Sequence, residues 1–190
     1  MRATKRKFRV ATGLIAIWLV LTITLQFWQI WASQSDERAL ALRQTEHRAG
    51  QLALAVAEHI AVFTRAVDFV LLELRREYGM QDAYFRETVA LLLKSFPEGT
   101  ILQFGVADAN GDLIYSNLGL AQAVNVRDRE HFTAHLDGGD RLFISKPVFG
   151  RVSQQWSIQF TRPILRNGRF AGVIVVSVAP EYLGKILALL

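Results

Sequence analysis

The chain has 190 residues, enough for one ordinary domain with accessories, and 51% of them are hydrophobic. It contains no cysteine, which excludes a disulfide framework and a thiolate metal site. The net charge of +5 is matched by Arg2, Lys5, Arg6, Lys7 and Arg9 alone, so it reads as a membrane-topology signal and not as a nucleic-acid footprint.

From Val10 to Ala32 the chain carries no charged side chain. As a helix this stretch would be ~34 Å long, enough to cross a hydrocarbon core of ~30 Å. Phe27, Trp28 and Trp31 collect at its far end, as an aromatic belt at a membrane–water interface would. A cleaved signal peptide is the competing reading, but the apolar run exceeds the usual ~7–15 residues and bulky Trp residues occupy the cleavage region. The expectation is a retained single-pass anchor in a bacterial inner membrane. The basic N-terminus would be cytoplasmic and the remainder periplasmic or extracellular.

Ser35-Asp36 can cap a helix, and no proline follows before Tyr78. Apolar residues recur at Leu52, Val56, His59/Ile60, Phe63, Val67, Val70/Leu71 and Leu74, in the steps of three and four that mark one helix face. Such a helix serves as a stalk near the bilayer and a scaffold further out, with a stripe that can meet its own sheet or a second copy. Gly79 should end it. A shorter helix starts at Gln81-Asp82, places Tyr84, Phe85, Val89, Leu92, Leu93 and Phe96 inward, and stops at Pro97-Glu98-Gly99.

Strands follow. Ile101–Ala107 and Leu113–Ser116 flank a turn at Asp108-Ala109-Asn110-Gly111-Asp112, whose Asn-Gly pair is a hairpin signal. The stretch Arg127-Asp128-Arg129-Glu130-His131-Phe132 predicts a short helix capped by Asp128. After Leu142–Ser145, the run Gln155–Arg162 alternates, with Trp156, Ile158, Phe160 and Arg162 on one side and Ser157, Gln159 and Thr161 on the other. Asn167-Gly168 turns into Phe170–Val178, a continuously apolar strand of the kind covered on both faces. Connections this short exclude βαβ crossovers, so the fold class is α+β with a mainly antiparallel sheet. The expected layout is a basic tail over 1–9, a transmembrane helix over 10–32, a stalk helix over 33–78, a sensor lobe over 79–180 and the start of a truncated helix over 181–190.

This order resembles the extracytoplasmic Cache family of PAS-like sensor domains. The residues behind it are the apolar span with its long helix, Asp108-Ala109-Asn110-Gly111, Arg127–Phe132, Phe143–Val148, Gln155–Ile158, Thr161–Ile164 and Gly168–Val173. The resemblance implies a ligand sensor of the kind found in front of diguanylate cyclases and histidine kinases, with a pocket between the small helix and the facing strands. It is not itself an enzyme. Tentative ligand contacts are Arg127, Arg129, His131, Phe132, Ser145, Trp156, Ser157, Gln159 and Ser177. In amino-acid-binding members an arginine on the small helix takes the carboxylate and an aspartate on the last strand takes the ammonium. Arg129 matches the first, but Ser177 stands where the acid is expected. A carboxylate or other small anion therefore fits better than an amino acid.

Blander readings accompany these. Surface arginines near a helix start are common, and Trp156 reads as core before ligand platform. His131 and His135, four apart, lack the glutamate of the helical zinc-hydrolase motif, so no metal and no cofactor are expected. Gly138-Gly139-Asp140-Arg141 matches the diguanylate cyclase signature in letters, but no nucleotide-binding domain of ~150 residues surrounds it. The leading function is a small-molecule sensor, membrane-anchored and homodimeric through the long helix. The alternative is a pocket-less partner-binding or dimerisation module at the cell envelope.

Overall fold

The computed structural model describes the backbone of residues 2–78 and 82–187, and the side chains of 17–29, 31, 44–78 and 84–185. The chain divides into two compact units, Met1–Ala53 and Leu54–Leu190. The first is helical throughout its described length, as part of α1 (Arg2–Glu77). Its large apolar side chains from Ile17 to Trp31 are exposed. Among the described residues no helix is long and apolar enough to cross a membrane. The span expected over 10–32 falls partly on side chains outside the described residues, as do the Gly79 stop and the last residues of the chain.

The second unit holds the end of α1, then α2 (Asp82–Lys94) and strands β1 (Ile101–Asp108) and β2 (Leu113–Ser116). The small helix α3 (Glu130–Thr133) precedes β3 (Phe143–Ile144), β4 (Val148–Phe149), β5 (Trp156–Arg166), β6 (Arg169–Val178) and α4 (Pro180–Leu187). The strand order is β2-β1-β6-β5-β3, all antiparallel, with β4 also paired to β5. The α+β class and the central position of β6 agree with the sequence pattern.

Strand alternation gives the sheet two different faces. Phe104 and Val106 of β1, Phe160 and Ile164 of β5, and Ile174, Val176 and Val178 of β6 pack with Phe63, Val67, Val70, Leu71 and Leu74 of α1. Phe85 and Val89 of α2 complete this core, whereas Tyr84, expected inward, is exposed. On the opposite face Ala107, Val173 and Val175 meet Val126 and Phe132 in a smaller cluster.

Arg162 belongs to the α1 face. Its guanidinium bonds both oxygens of Asp68 on α1, one through Nε and the other through Nη2 at 2.8 Å. Arg162 Nη1 also reaches Asp140 Oδ1 at 3.1 Å, and Arg75 of α1 reaches the same oxygen at 2.7 Å. The Arg75 hydrogen bond holds the Asp140 carboxyl below the usual carboxylate range. Thus the loop after α3, β5 and α1 meet in one cluster of two guanidiniums and two carboxylates.

Two glycines are required by geometry. Gly111 has φ 87°, and a Cβ there would lie 2.7 Å from Arg127 Cβ. Gly172 has φ 145°, and its Cβ would fall 2.1 Å from the Ala107 carbonyl oxygen across the β1–β6 ladder.

Leu71 is fully buried, so Leu71→Ala removes core contacts and leaves a cavity. Urea unfolding of this variant should show a loss of about 2–5 kcal/mol. Leu91→Ala, at a 63% exposed site on α2, should stay within about 0.5 kcal/mol of the parent.

Candidate functional site

The face away from α1 carries a polar row. Gln103 on β1 pairs with Ser177 on β6, and Ser177 pairs with Gln159 on β5. These buried side chains are tied by hydrogen bonds. Ser177 Oγ donates to Gln159 Oε1 at 2.7 Å, and Gln159 Nε2 donates to Ser157 Oγ at 2.7 Å. Gln103 Nε2 donates to Ser116 Oγ at 3.1 Å. A sheet face of this kind buries amides and hydroxyls without penalty only because they satisfy one another.

A cavity of about 50 Å³ opens above this row. Gln103, Gln159 and Ser177 form its floor, with Gly105 and Val175 beside them. Val124 and Val126 wall it from the segment after β2, Arg129 and His131 from the start of α3, and Val148–Val152 from β4 and its turn. The β2 side is fixed locally. Asn125 Nδ2 donates to Asp112 Oδ1 at 2.7 Å, and the Leu113 amide donates to the Val124 carbonyl at 2.8 Å. A second basin of about 550 Å³ lies outside, and Val124, Arg129, Phe149, Gly150 and Arg151 line both spaces.

His131 is 6% exposed, and its Nδ1 is buried with no hydrogen-bond partner. Burial, reinforced by the Arg129 charge, lowers its pKa to about 4, so the ring is neutral at pH 7. The Arg129 guanidinium donates to the Phe149 carbonyl at 3.4 Å. Arg151 is held more firmly, by paired bonds to Asp128 at 2.8 and 2.7 Å and by a bond to the Asn125 carbonyl. The Arg151 hydrogen bond also holds the Asp128 carboxyl below the usual range. No aspartate or glutamate is among the described residues lining the cavity. Chemically, the site offers two guanidiniums at its mouth, a neutral imidazole in its wall and neutral amides and hydroxyls on its floor.

The structure brings Arg129, His131, Gln159 and Ser177 of the expected set to this cavity and places the others elsewhere. Arg127 is exposed and does not line it. Phe132 is fully buried in the smaller core, edge-on to Phe170 with ring centroids 5.5 Å apart. Ser145 accepts the Gln159 amide at 3.0 Å, behind the floor. Ser157 accepts from the Gln159 side chain on the same face of β5 and does not line the cavity. Trp156, expected in the core, is 58% exposed at the end of β5 and meets Phe149 edge-on. The α3 cap also differs: Arg129 is the N-cap residue, without a side-chain cap bond, and the Asp128 carboxylate is taken by Arg151. Gln103 and Arg151 were missed. Gln103 was legible, because alternation puts it opposite the core residue Phe104; Arg151, in a turn, had no periodic signal.

Among the described residues no group of three or more metal-ligating side chains converges. His135 is fully buried and serves structure. Its Nε2 lies 2.9 Å from Thr161 Oγ1, a hydroxyl that also lies 3.2 Å from the His131 carbonyl oxygen.

A long helix against an antiparallel sheet, with a cavity between the opposite face and a small helix, is the fold of Cache-like extracellular sensor domains. The solved structures bear this out. The extracellular domain of an inferred histidine kinase, rpHK1S-Z16, matches with a TM-score of 0.71 and 25% identity, covering 80% of this chain and 64% of that one. The ligand-binding domain of the Campylobacter jejuni chemoreceptor Tlp3 in complex with L-valine matches at 0.56 and 16% identity, over 73% of this chain and 61% of that one. The ligand-binding domain of Mlp24 with asparagine matches at 0.51 and 14% identity, over 67% of this chain and 52% of that one. The chain therefore spans between about half and two thirds of the length of these structures. No family model and no curated protein matches the sequence.

His131 and His135 both have folded-state pKa values lowered to about 4 from 6.5. Burial is the largest cause for each, followed by Arg129 for His131 and Arg141 for His135. The unfolded chain therefore binds more protons between these values. The stability this provides is complete above pH 6.5 and is lost as pH falls toward 4. Denaturant titrations across that window should show stability falling with pH, and His131→Gln should flatten the slope. An unchanged slope would show that His131 titrates normally.

Proposed function

We propose that this chain is the extracytoplasmic ligand-binding part of a bacterial membrane receptor that detects a small carboxylate or related oxyanion. The observation that carries the reading is the charge pattern of the cavity: the Arg129 guanidinium lines it, Arg151 lines it while paired to Asp128, and no carboxylate is among the described lining residues. An oxyanion gains charge-assisted, bidentate hydrogen bonds from such a mouth. An ammonium group would lack a counter-charge inside. The related structures carrying L-valine or asparagine support a small-molecule site on this fold. Their ligands are not assigned to this chain.

Anchoring rests on the uncharged run from Val10 to Ala32 and its basic flank, with exposed Trp18, Phe27, Trp28 and Trp31 as support. In this reading the sensor is periplasmic or extracellular. Ligand binding changes the packing of the sheet on α1, and that helix carries the change to the rest of the receptor.

Isothermal titration with short-chain organic acids tests the reading. Propionate should bind better than L-alanine, which adds only an ammonium. Arg129→Ala should weaken the acid by about tenfold or more, the range of a lost charge-assisted contact, with the melting temperature little changed. A preference for alanine, or unchanged affinity in the variant, would overturn the assignment.

A second reading is favoured by the cavity size, since about 50 Å³ is well below the ~300–1,000 Å³ of ordinary ligand pockets. On α1, Val62 and Phe69 are 50% and 63% exposed on the side away from the core. In that reading the chain is an assembly module that pairs with a second copy along this helix. Sedimentation velocity of residues 54–190 should then show a dimer that Phe69→Glu dissociates. A monomer at every concentration would rule it out.

A further inference from the structure

The two guanidiniums at the mouth are engaged very differently, and this difference has a use. Arg129 makes a long bond to the Phe149 carbonyl, 3.4 Å. The Arg151 fork is filled by a carboxylate, with Nη1 on Asp128 Oδ1 at 2.8 Å and Nη2 on Oδ2 at 2.7 Å. This is the end-on geometry in which an arginine takes a free carboxylate ligand. Asp128, which lines neither space, thus fills the Arg151 fork as the oxyanion of a bound molecule would.

Three observations point to exchange at that position. First, the pair is cheap to open: the Asp128 side chain is 63% exposed and that of Arg151 is 37% exposed. Ion pairs in such settings contribute little net stability because water solvates the separated partners. The cluster of Arg162, Asp68, Asp140 and Arg75 is different, since its arginine side chains are only 14% and 23% exposed. Second, Arg151 sits on the partition between the inner cavity of about 50 Å³ and the outer basin of about 550 Å³. The inner cavity has room for a few waters but not for a metabolite. Joining the two spaces requires the partition of Phe149, Gly150 and Arg151 to open. Across the partition these residues are tethered by the Arg151 bonds to Asp128 and the Asn125 carbonyl and by the Arg129 bond to Phe149, and within the turn by the Gly150 amide on the Gln155 carbonyl at 2.9 Å and by Gln154 Nε2 on the Arg151 carbonyl at 2.8 Å. Third, the inner wall already includes a residue with an unsatisfied polar atom, His131, whose buried Nδ1 has no hydrogen-bond partner.

We propose that Arg151 is a second oxyanion contact of this site and that Asp128 is its built-in competitor. A small carboxylate enters by displacing Asp128 from the Arg151 fork, and the released Arg151 side chain shifts with it to join the inner cavity to the outer basin while the Gly150–Gln155 bond keeps the turn itself in place. The ligand class is accordingly an acid with a neutral, hydrogen-bonding or apolar body. Its anionic end faces the mouth, and its body lies over the Gln103–Ser177–Gln159 row. A dicarboxylate engages both guanidiniums and gains most from the exchange. The inference rests on the oxyanion reading of the cavity and adds to it a specific residue pair and an order of events.

The test is a double-mutant cycle on Asp128 and Arg151, read by isothermal titration with acetate, propionate, malonate and succinate. Circular dichroism monitors the fold, and both residues are exposed enough to be replaced without a core defect. Asp128→Asn should tighten the best-bound acid by about fivefold, because it removes the competitor. Arg151→Gln should weaken the same acid. In the Arg151→Gln background, Asp128→Asn should have no further effect, since there is no fork left to release. Equal tightening by Asp128→Asn with and without Arg151 would reduce Asp128 to a bulk charge effect and overturn the exchange. Binding that depends on Arg129 but not on either of these residues would overturn this inference while leaving the oxyanion reading intact. Failure of all four acids to bind every variant, including Asp128→Asn, would overturn both.

Discussion

Period-two alternation in three adjacent strands is the constraint on which the rest of this domain depends. Phe104, Phe160 and Val176 on one face commit that face to α1, and the intervening Gln103, Gln159 and Ser177 are thereby turned to the other. A slip of one residue in β5 or β6 would bury amides against Leu71 and expose Phe160 and Val176 to the cavity. The penalty for both errors is several kcal/mol, so the position of the polar row is settled by the core on the reverse side of the sheet. Site and scaffold are two readings of the same strands.

The same strands also connect the two faces. Thr161 of β5 donates to the backbone of His131 and contacts His135, and its neighbour Arg162 points the other way to Asp68 on α1. Asp140, in the loop that follows α3, joins Arg162 and Arg75. The small helix is therefore held by a hydroxyl on the pocket face, and the loop that follows it is held by a carboxylate that reaches α1. A wall of the cavity and α1 are thus joined through consecutive residues of one strand, Thr161 on the pocket face and Arg162 on the α1 face.

The periodic features were the legible ones. The buried stripe of α1, the β1–β2 turn at Asn110-Gly111, the alternation of β5 and the apolar run of β6 all follow from residue spacing. What could not be read depends on contacts distant in sequence. Asp128 has every local attribute of a helix cap, yet Arg151 claims its carboxylate from 23 positions away. Phe132 looked like a pocket wall because of its place in a polar motif, but Phe170 on β6 draws it into a second core. Trp156 misled for another reason: alternation assigns a face, but β5 runs there past the end of the β6 ladder, which begins at Ile158, so the ring meets Phe149 of β4 and not the core. β4 was invisible, since two residues after Pro147 carry no period at all.

That last strand has a mechanical meaning. The central trunk of the sheet is locked by long ladders, and at Gly172 the β1 and β6 backbones approach so closely that no side chain fits between them. β4 is joined to β5 through only the pairs Val148–Ser157 and Phe149–Trp156. Opening free energies within a native protein follow the number of buried contacts and ladder bonds that must be given up. The domain is therefore graded in compliance, stiff where it meets α1 and yielding along one short edge. A disturbance at that edge is absorbed locally at little cost, and only one strong enough to pull on the trunk is felt by the helix behind it.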